Sequence, residues 1–224
     1  MVRMTRRMAV LLGLLGLPTA HAAETSPPPL SPAQIALFET PHLAAILTPV
    51  QLDYIFRREE SGRPTVTDQI SLDVRPAAEN GRHDVYPNFL TGERHINYPA
   101  ATGFLGNPLL IFALDRDTRE LSAATGGSPN WFRGRFRAAL LDRATLQHGP
   151  VSAAGLPSPV EATTVELTPF ENERRARRFQ TLHYAFVLSD AVPGGIVEIR
   201  STVSAGPDGP AIMESIAFSG VRAP

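Results

Sequence analysis

The sequence predicts an α+β protein in which a curved, mainly antiparallel sheet, a half-open barrel, carries a two-helix insertion in its middle. Three observations support this prediction. Apolar and polar residues alternate with the period of two typical of strands over residues 50–98 and again over 160–218. Residues 108–143 instead show capped helical patterns. Strands and helices do not alternate along the chain, which argues against a parallel sheet.

The N-terminal segment has the layout of a secretory signal peptide. An arginine-containing start precedes an apolar run from Met8 to Leu17, and Ala20-His21-Ala22 is a small-x-small cleavage pattern. The run is about half of the roughly 20 residues that a spanning helix needs. We therefore predict residues 1–22 to be a cleaved signal peptide, a periplasmic or secreted location, and no stable membrane span after cleavage.

The remaining chain is predicted to form one domain. Residues 23–30 contain a prolyl run and are expected to be a flexible leader, and residues 31–224 a single α+β domain. Ser31-Pro32 is typical of an N-cap followed by proline at the first helical position, so a short helix is expected there, ending near Pro41.

Four strands are predicted before the insertion. Alternating residues indicate strands over 50–57 and 66–74, and Asn80-Gly81 is a strong hairpin signal before a returning strand over 83–90. Pro87 places that strand at an edge or a bulge, because proline cannot donate to a ladder. A further short strand is predicted over Arg94–Tyr98.

The insertion is predicted to contain two helices. Asn107 is an N-cap candidate before Pro108, and Gly126-Gly127 is a C-cap that ends the first helix. Ser128-Pro129 begins the second helix in the same way, and it extends to about Arg143. A buried strand over 109–114 is the competing interpretation of that apolar run.

Strands return after the insertion. Residues 149–159 are rich in proline and glycine and are predicted to be a loop. Strands are then expected over 160–169, 179–188, 196–203 and 212–218, separated by turns at 190–195 and 206–210.

Composition excludes several functions. The 224 residues include no cysteine, which excludes disulfides, thiol catalysis and thiolate metal sites, and the formal net charge of −1 gives no case for nucleic-acid binding. There is no phosphate-binding loop, dinucleotide fingerprint or nucleophile elbow in the sequence. We predict no cofactor and no metal.

Two groups of titratable residues are candidate sites for chemistry. Asp115, Asp117 and Glu120 could perform acid–base chemistry, but their alternation with arginines favours a solvated, salt-bridged helix face. His83 and His95 lie on neighbouring predicted strands and could converge on a metal, although the hairpin surface is their favoured location.

Arginines form two clusters. Arg133, Arg135 and Arg137 lie beside aromatic residues in the second helix, and a run of four arginines falls within 174–178. Guanidinium groups bind phosphate or carboxylate headgroups in a bidentate manner, so such a mixture can hold an anion. Ordinary solvated basic surface is the favoured interpretation.

This layout resembles the periplasmic lipoprotein-carrier type of unclosed β-barrel. The resembling parts are the strands within 50–98, the helices within 108–143 and the strands within 160–218. The resemblance implies an apolar cavity formed by the curved sheet, helices that act as a lid, and an activity of holding acyl chains or another apolar ligand. It implies no particular functional residue.

We therefore predict a non-enzymatic periplasmic binding or carrier protein for an apolar or acyl ligand. A filled core is the alternative use of the same apolar residues. An envelope accessory module with a protein partner and a hydrolase that uses carboxylate or histidine chemistry are the alternative functions. No catalytic residue is assigned, and the candidate ligand-binding residues are Leu52, Tyr54, Phe56, Ile70, Leu72, Trp131, Arg133, Arg137, Phe186 and Leu188.

Overall fold

The computed structural model describes residues 29–79, 81–153 and 155–224. The described residues form nine strands: β1 (Val50–Glu60), β2 (Val66–Pro76), β3 (His83–Phe89), β4 (Ala101–Phe104), β5 (Thr145–Val151), β6 (Val160–Leu167), β7 (His183–Leu188), β8 (Ile196–Val203) and β9 (Ile212–Arg222). The helices are α1 (Pro32–Gln34), which continues as a π-helix over Ile35–Glu39, α2 (Leu109–Thr125) and α3 (Pro129–Asp142). Short 3₁₀ turns cover Gly92–Arg94 and Arg174–Thr181.

All nine strands form one antiparallel sheet in the order β4-β3-β2-β1-β9-β8-β7-β6-β5. The first and last strands pair at its centre, where Tyr54 lies opposite Ile70 on one side and Phe218 on the other. The end strands β4 and β5 do not pair with each other, so the curved sheet stays unclosed. The predicted fold class is confirmed.

The inserted helices cover the apolar face of the sheet. Phe112 of α2 stacks on Tyr98 with 4.7 Å between ring centroids, and Phe136 of α3 meets Tyr184 of β7 edge-on at 5.2 Å. The alternation seen in the sequence places one side of each central strand beneath these helices. Each large apolar side chain buried there contributes about 1.5–3 kcal/mol.

The predicted helix signals are borne out. The side chain of Asn107 accepts a hydrogen bond from the backbone N–H of Leu109 at 3.0 Å, and Gly126 ends α2 with a φ of 74°. Such a positive φ is the left-handed conformation that favours glycine. Ser31 forms a capping box with Gln34, and the competing strand interpretation of 109–114 is wrong.

Three predicted strand boundaries are wrong. Residues 94–98 do not form a strand, since a 3₁₀ turn and a single bridge from Ile96 to Phe89 replace it, and the fourth strand is instead β4. The predicted loop 149–159 begins inside β5, whose pairing with β6 supplies hydrogen bonds that no local pattern reveals. Residues 179–181 belong to a 3₁₀ turn, so β7 begins only at His183.

Several predictions concern residues that lie wholly or partly outside the described ones. These include the signal peptide over 1–22, the leader except for Pro29 and Leu30, and Asn80 of the predicted hairpin turn.

Pro87 does lie on a largely unpaired edge, because β4 pairs only with His83 and Val85 of β3. Among the described helices, none has both the length and the apolar character needed to cross a membrane.

Candidate functional site

A groove of about 500 Å³ lies between α2, the 3₁₀ turn Arg174–Thr181 and strands β7 to β9. We call it the α2 groove. Its apolar lining residues, which we call the walls, are Leu121, Ala123, Ala124, Phe179, Leu182, Val203 and Ile212. Its polar lining residues, which we call the floor, are Arg58, Asp117, Glu120, Tyr184, Ser201 and Glu214.

The groove exists because the side chains of α2 become small near its C-terminal end. The first half of the helix buries large residues such as Leu109, Leu110 and Phe112 against the sheet. One turn beyond Glu120, Ala123 and Ala124 are exposed and too short to reach the opposite strands. The space between helix and sheet is therefore unfilled at this end.

An ion-pair network underlies the floor. Arg116 of α2 is 6 % exposed and donates to both carboxylate oxygens of Glu214 on β9, at 2.6 and 3.0 Å. Arg58 of β1 donates to Glu214 at 2.5 Å and to Glu120 at 3.3 Å. Burial would raise the pKa of Glu214, but the hydrogen bonds and charges of the two arginines outweigh it and lower that pKa.

Asp117 lies beside this network. Its side chain is 13 % exposed, accepts from the hydroxyl of Tyr184 at 2.8 Å, and accepts from Arg116 at 2.9 Å. Burial raises the pKa of Asp117 to about 7, and the negative charge of Glu214 adds to the effect, whereas Arg116 opposes it. Burial also raises the pKa of Tyr184, so its hydroxyl remains a donor.

These contacts correct one interpretation of the sequence. A solvated helix face was predicted for the alternating charges of α2, and this is wrong for Arg116 and Asp117, which lie between the helix and the sheet. It holds for Arg119, which is largely exposed and pairs with Asp115. Carboxylates and guanidiniums bind each other across the floor, so the groove combines apolar walls with a polar base whose charged groups are already paired.

The structure does not bring the ten predicted ligand-binding residues together. Leu52, Tyr54, Phe56, Ile70, Leu72 and Phe186 are at most 2 % exposed and form core beneath the helices, outside the lining of the groove. Trp131 stacks on Phe170, Arg133 pairs with Asp115, and Arg137 is exposed. Leu188 lines a different cavity. Their role in ligand binding stays a prediction.

Sequence reasoning missed most of the groove lining. Leu121 and Leu182 show only the apolar periodicity common to core residues, and Ala123 and Ala124 carry no signal beyond their small size. Glu214 was visible as a polar residue within an alternating strand. Its partner Arg116 is 98 positions away, which places this pairing beyond any local pattern.

The second cavity, of about 310 Å³, contains His42, His148, Glu161 and Asp190. His42 is buried, with Nε2 3.0 Å from the carbonyl of Ala36 and Nδ1 accepting from the N–H of Asn107 at 3.4 Å. Burial lowers the pKa of His42, so the imidazole is neutral. Its hydrogen bonds give His42 a structural role.

The histidines considered for metal binding do not converge. Across residues 29–79, 81–153 and 155–224, no group of three or more histidine, cysteine or acidic side chains has the arrangement to hold a metal ion. His83 is 2 % exposed and its Nε2 lies 2.7 Å from the carbonyl of Ile46, so the predicted surface location of His83 is wrong. His95 is exposed, as predicted.

Fold and groove together define a protein built on an unclosed, helix-covered antiparallel barrel, the architecture that the predicted resemblance implied. No family model matches the sequence, and no curated protein matches it. The fold is similar to that of a chain in the structure of the Pseudomonas aeruginosa MucA/MucB complex, with a TM-score of 0.40 and 15 % identity. That match covers 87 % of this chain and 59 % of the other, so this chain spans little more than half of its length. A LolA superfamily protein from Nitrosomonas europaea matches with a TM-score of 0.25 and 9 % identity, over 86 % of this chain and 93 % of that one.

Proposed function

We propose that this protein is a non-enzymatic, exported binding protein that holds an acyl chain or a similar apolar group in the α2 groove. The observation that carries the proposal is the groove itself, which has apolar walls and a volume of about 500 Å³. Small-molecule sites are mostly apolar clefts of roughly 300–1,000 Å³ with a few polar groups. The signal-peptide pattern over residues 1–22 supports an extracytoplasmic location.

The pairing of the floor supports binding rather than catalysis. A general acid or base must reach a substrate proton, and a nucleophile needs an adjacent base. Asp117 is bound by Arg116 and Tyr184, and Glu214 is bound by Arg58 and Arg116. The polar end of a ligand would therefore meet a floor that orients it by hydrogen bonds at the edges of this network.

The affinity should rise with chain length. Burial of one methylene contributes about 0.8 kcal/mol, so two extra methylenes in a saturated chain strengthen binding by about tenfold until the groove is full. Displacement of a fluorescent fatty acid by saturated acids of increasing length measures this series. Equal affinities for short and long chains would contradict burial in an apolar groove.

A groove-filling variant locates the site. Ala124 faces the groove and is exposed, so Ala124→Trp should weaken binding of the fluorescent fatty acid by tenfold or more without lowering the melting temperature. Ala100→Trp is the matched control, because Ala100 is also exposed but lies outside the groove lining. If both variants bind like the wild-type protein, or if no alkyl probe binds at all, the envelope interaction module becomes the better explanation.

A further inference from the structure

The arginines of this protein are unevenly paired. Of the eighteen arginines in the described residues, twelve form salt bridges with carboxylates. The other six all lie between residues 137 and 178, and four of them fall within Arg174–Arg178, which we call the basic segment. Among the described residues, most of the arginines without a salt bridge therefore lie in the basic segment.

Two contacts hold the basic segment in place, and three of its four arginine side chains remain exposed. Ala176 is fully buried and anchors it, whereas Arg174, Arg175 and Arg177 are exposed. Arg178 donates to the carbonyl of Pro210. The segment is therefore held at Ala176 and Arg178, while Arg174, Arg175 and Arg177 are exposed within four consecutive positions.

Acidic residues close by compensate only part of this charge. Glu171 and Glu173 precede the segment in the chain, and Glu173 is already paired with Arg135 of α3. Asp208 lines a small cavity together with Arg177 and Arg178, without forming a salt bridge to either among the described residues. The formal net charge of the whole chain is −1, so the positive patch is local.

The position of the basic segment relates it to the α2 groove. The 3₁₀ turn that contains it packs against α2 and β8, the two elements on either side of the groove. Phe179, the residue directly after the segment, lines the groove wall and lies 5.6 Å from the guanidinium of Arg178. The basic segment is therefore directly adjacent in the chain to one wall residue of the groove, and Arg178 contacts that residue.

We propose that the basic segment docks this protein on an anionic phospholipid surface, with the α2 groove beside the bilayer. Guanidinium groups bind phosphate in a bidentate manner, and a basic residue near an anionic membrane strengthens binding by about fivefold. The choice of a lipid surface over an acidic protein rests on the proposed function, because an acyl chain that enters the groove comes from a bilayer. Docking here brings the groove to its ligand.

Vesicle co-sedimentation with the full chain tests this proposal. Vesicles of phosphatidylcholine are compared with vesicles containing a quarter phosphatidylglycerol. The triple variant Arg174→Gln, Arg175→Gln, Arg177→Gln should bind the anionic vesicles about 100-fold more weakly than wild type, from three losses of about fivefold each. Arg177 has a positive φ of 52°, which is uncommon for a residue with a side chain. The double variant Arg174→Gln, Arg175→Gln leaves this position unchanged and should bind about 25-fold more weakly.

A control with the same loss of charge is Arg57→Gln, Arg75→Gln, Arg222→Gln. These exposed arginines lie on β1, near the end of β2 and at the end of β9, outside the cavities that contact the basic segment. The control should keep wild-type binding to anionic vesicles, and 0.5 M salt should abolish the preference of the wild type for them.

Three results would overturn the proposal. They are equal loss of binding in the control and the triple variant, equal wild-type binding to neutral and anionic vesicles, and binding of soluble polyglutamate in place of vesicles, which would indicate an acidic protein partner. Fatty-acid binding by the same variants separates the two proposals. Anionic-vesicle binding that depends on the basic segment, without any fatty-acid binding, would support the docking surface and reject the groove.

Discussion

Arg116 and Glu214 are joined by two hydrogen bonds of 2.6 and 3.0 Å, although they are 98 positions apart in the chain. The guanidinium also lies over the ring of Phe56, 4.8 Å from its centroid. This pair connects α2 to the central strand β9 at the base of the α2 groove. A buried pair of this kind costs desolvation, and removing one partner leaves the other charge buried and unpaired.

We expect Arg116→Met to lower the free energy of unfolding by about 3–5 kcal/mol, because Glu214 and Asp117 then lose their shared cation. Denaturant titration measures the change. Arg119→Met is the control on the same helix, since Arg119 is largely exposed and its pairing with Asp115 contributes less than about 1 kcal/mol. Similar losses in both variants would mean that the Arg116 network has no special role in stability.

The contribution of Asp117 to stability should fall as the pH rises from about 5 to about 7. The ordinary pKa of an aspartate is 3.8, whereas burial raises that of Asp117 to about 7 in the folded state. Across this window Asp117 of the folded protein holds a proton that the unfolded chain has lost, so raising the pH favours unfolding. The buried His42, whose pKa is lowered, acts in the opposite direction, so the test compares two variants that both contain it. In thermal unfolding at several pH values, the stability of the wild type relative to Asp117→Asn should decrease across the window.

Glu214 acts in the opposite direction at lower pH. Its pKa is lowered in the folded state, so its stabilising contribution is present above its ordinary pKa of 4.5 and is lost as the pH falls through the folded pKa. The two carboxylates therefore act in separate windows. Asp208→Asn, in the turn before β9, is the control for Asp117→Asn, and an unchanged slope in Asp117→Asn would contradict the assignment.

Two helix starts that look alike in sequence should respond differently to alanine. Asn107 caps Leu109 and donates to the hydroxyl of Tyr54 at 3.1 Å and to the carbonyl of Gly194 at 2.8 Å. Asn107→Ala should cost about 3 kcal/mol, from the lost cap and the buried partners left without a donor. The side chain of Ser128 makes no capping bond, so Ser128→Ala should cost less than about 0.5 kcal/mol by denaturant titration. Equal losses in the free energy of unfolding for the two variants would contradict the capping contacts of Asn107.

Replacing either of two glycines by alanine should change the stability of the protein, but in opposite directions. Gly126 has a φ of 74°, so Gly126→Ala should destabilise the protein by about 1 kcal/mol. Gly134 lies inside α3 with open space around an added Cβ, so Gly134→Ala should stabilise it by about 0.5–1 kcal/mol. Melting temperatures of the two variants make the comparison, and a shift in the same direction for both would be inconsistent with these conformations.

The local patterns predicted the elements well where neighbouring residues decide the conformation. Caps such as Asn107 and Gly126 act within one helical turn, and the alternation in β1 reflects which side of one strand is buried. The pattern failed at β5, whose residues are mostly polar or exposed and become a strand only because β6 provides hydrogen-bond partners. It also could not separate residues that fill the core, such as Leu52 and Tyr54, from residues that line the groove, such as Leu182, because all of them follow the same apolar alternation.

By itself, the sequence determined the α+β class and the positions of the two inserted helices, because each depends on interactions within a few residues. Only the tertiary structure decided that β1 pairs with β9, that Arg116 and Asp117 are buried, and that unfilled space lies beside Ala124 rather than over Leu52. Arg58 and Glu214, 156 positions apart, meet at 2.5 Å only after the sheet forms. Burial and charge pairing are properties of the assembled chain, since each residue's partners come from distant strands and helices.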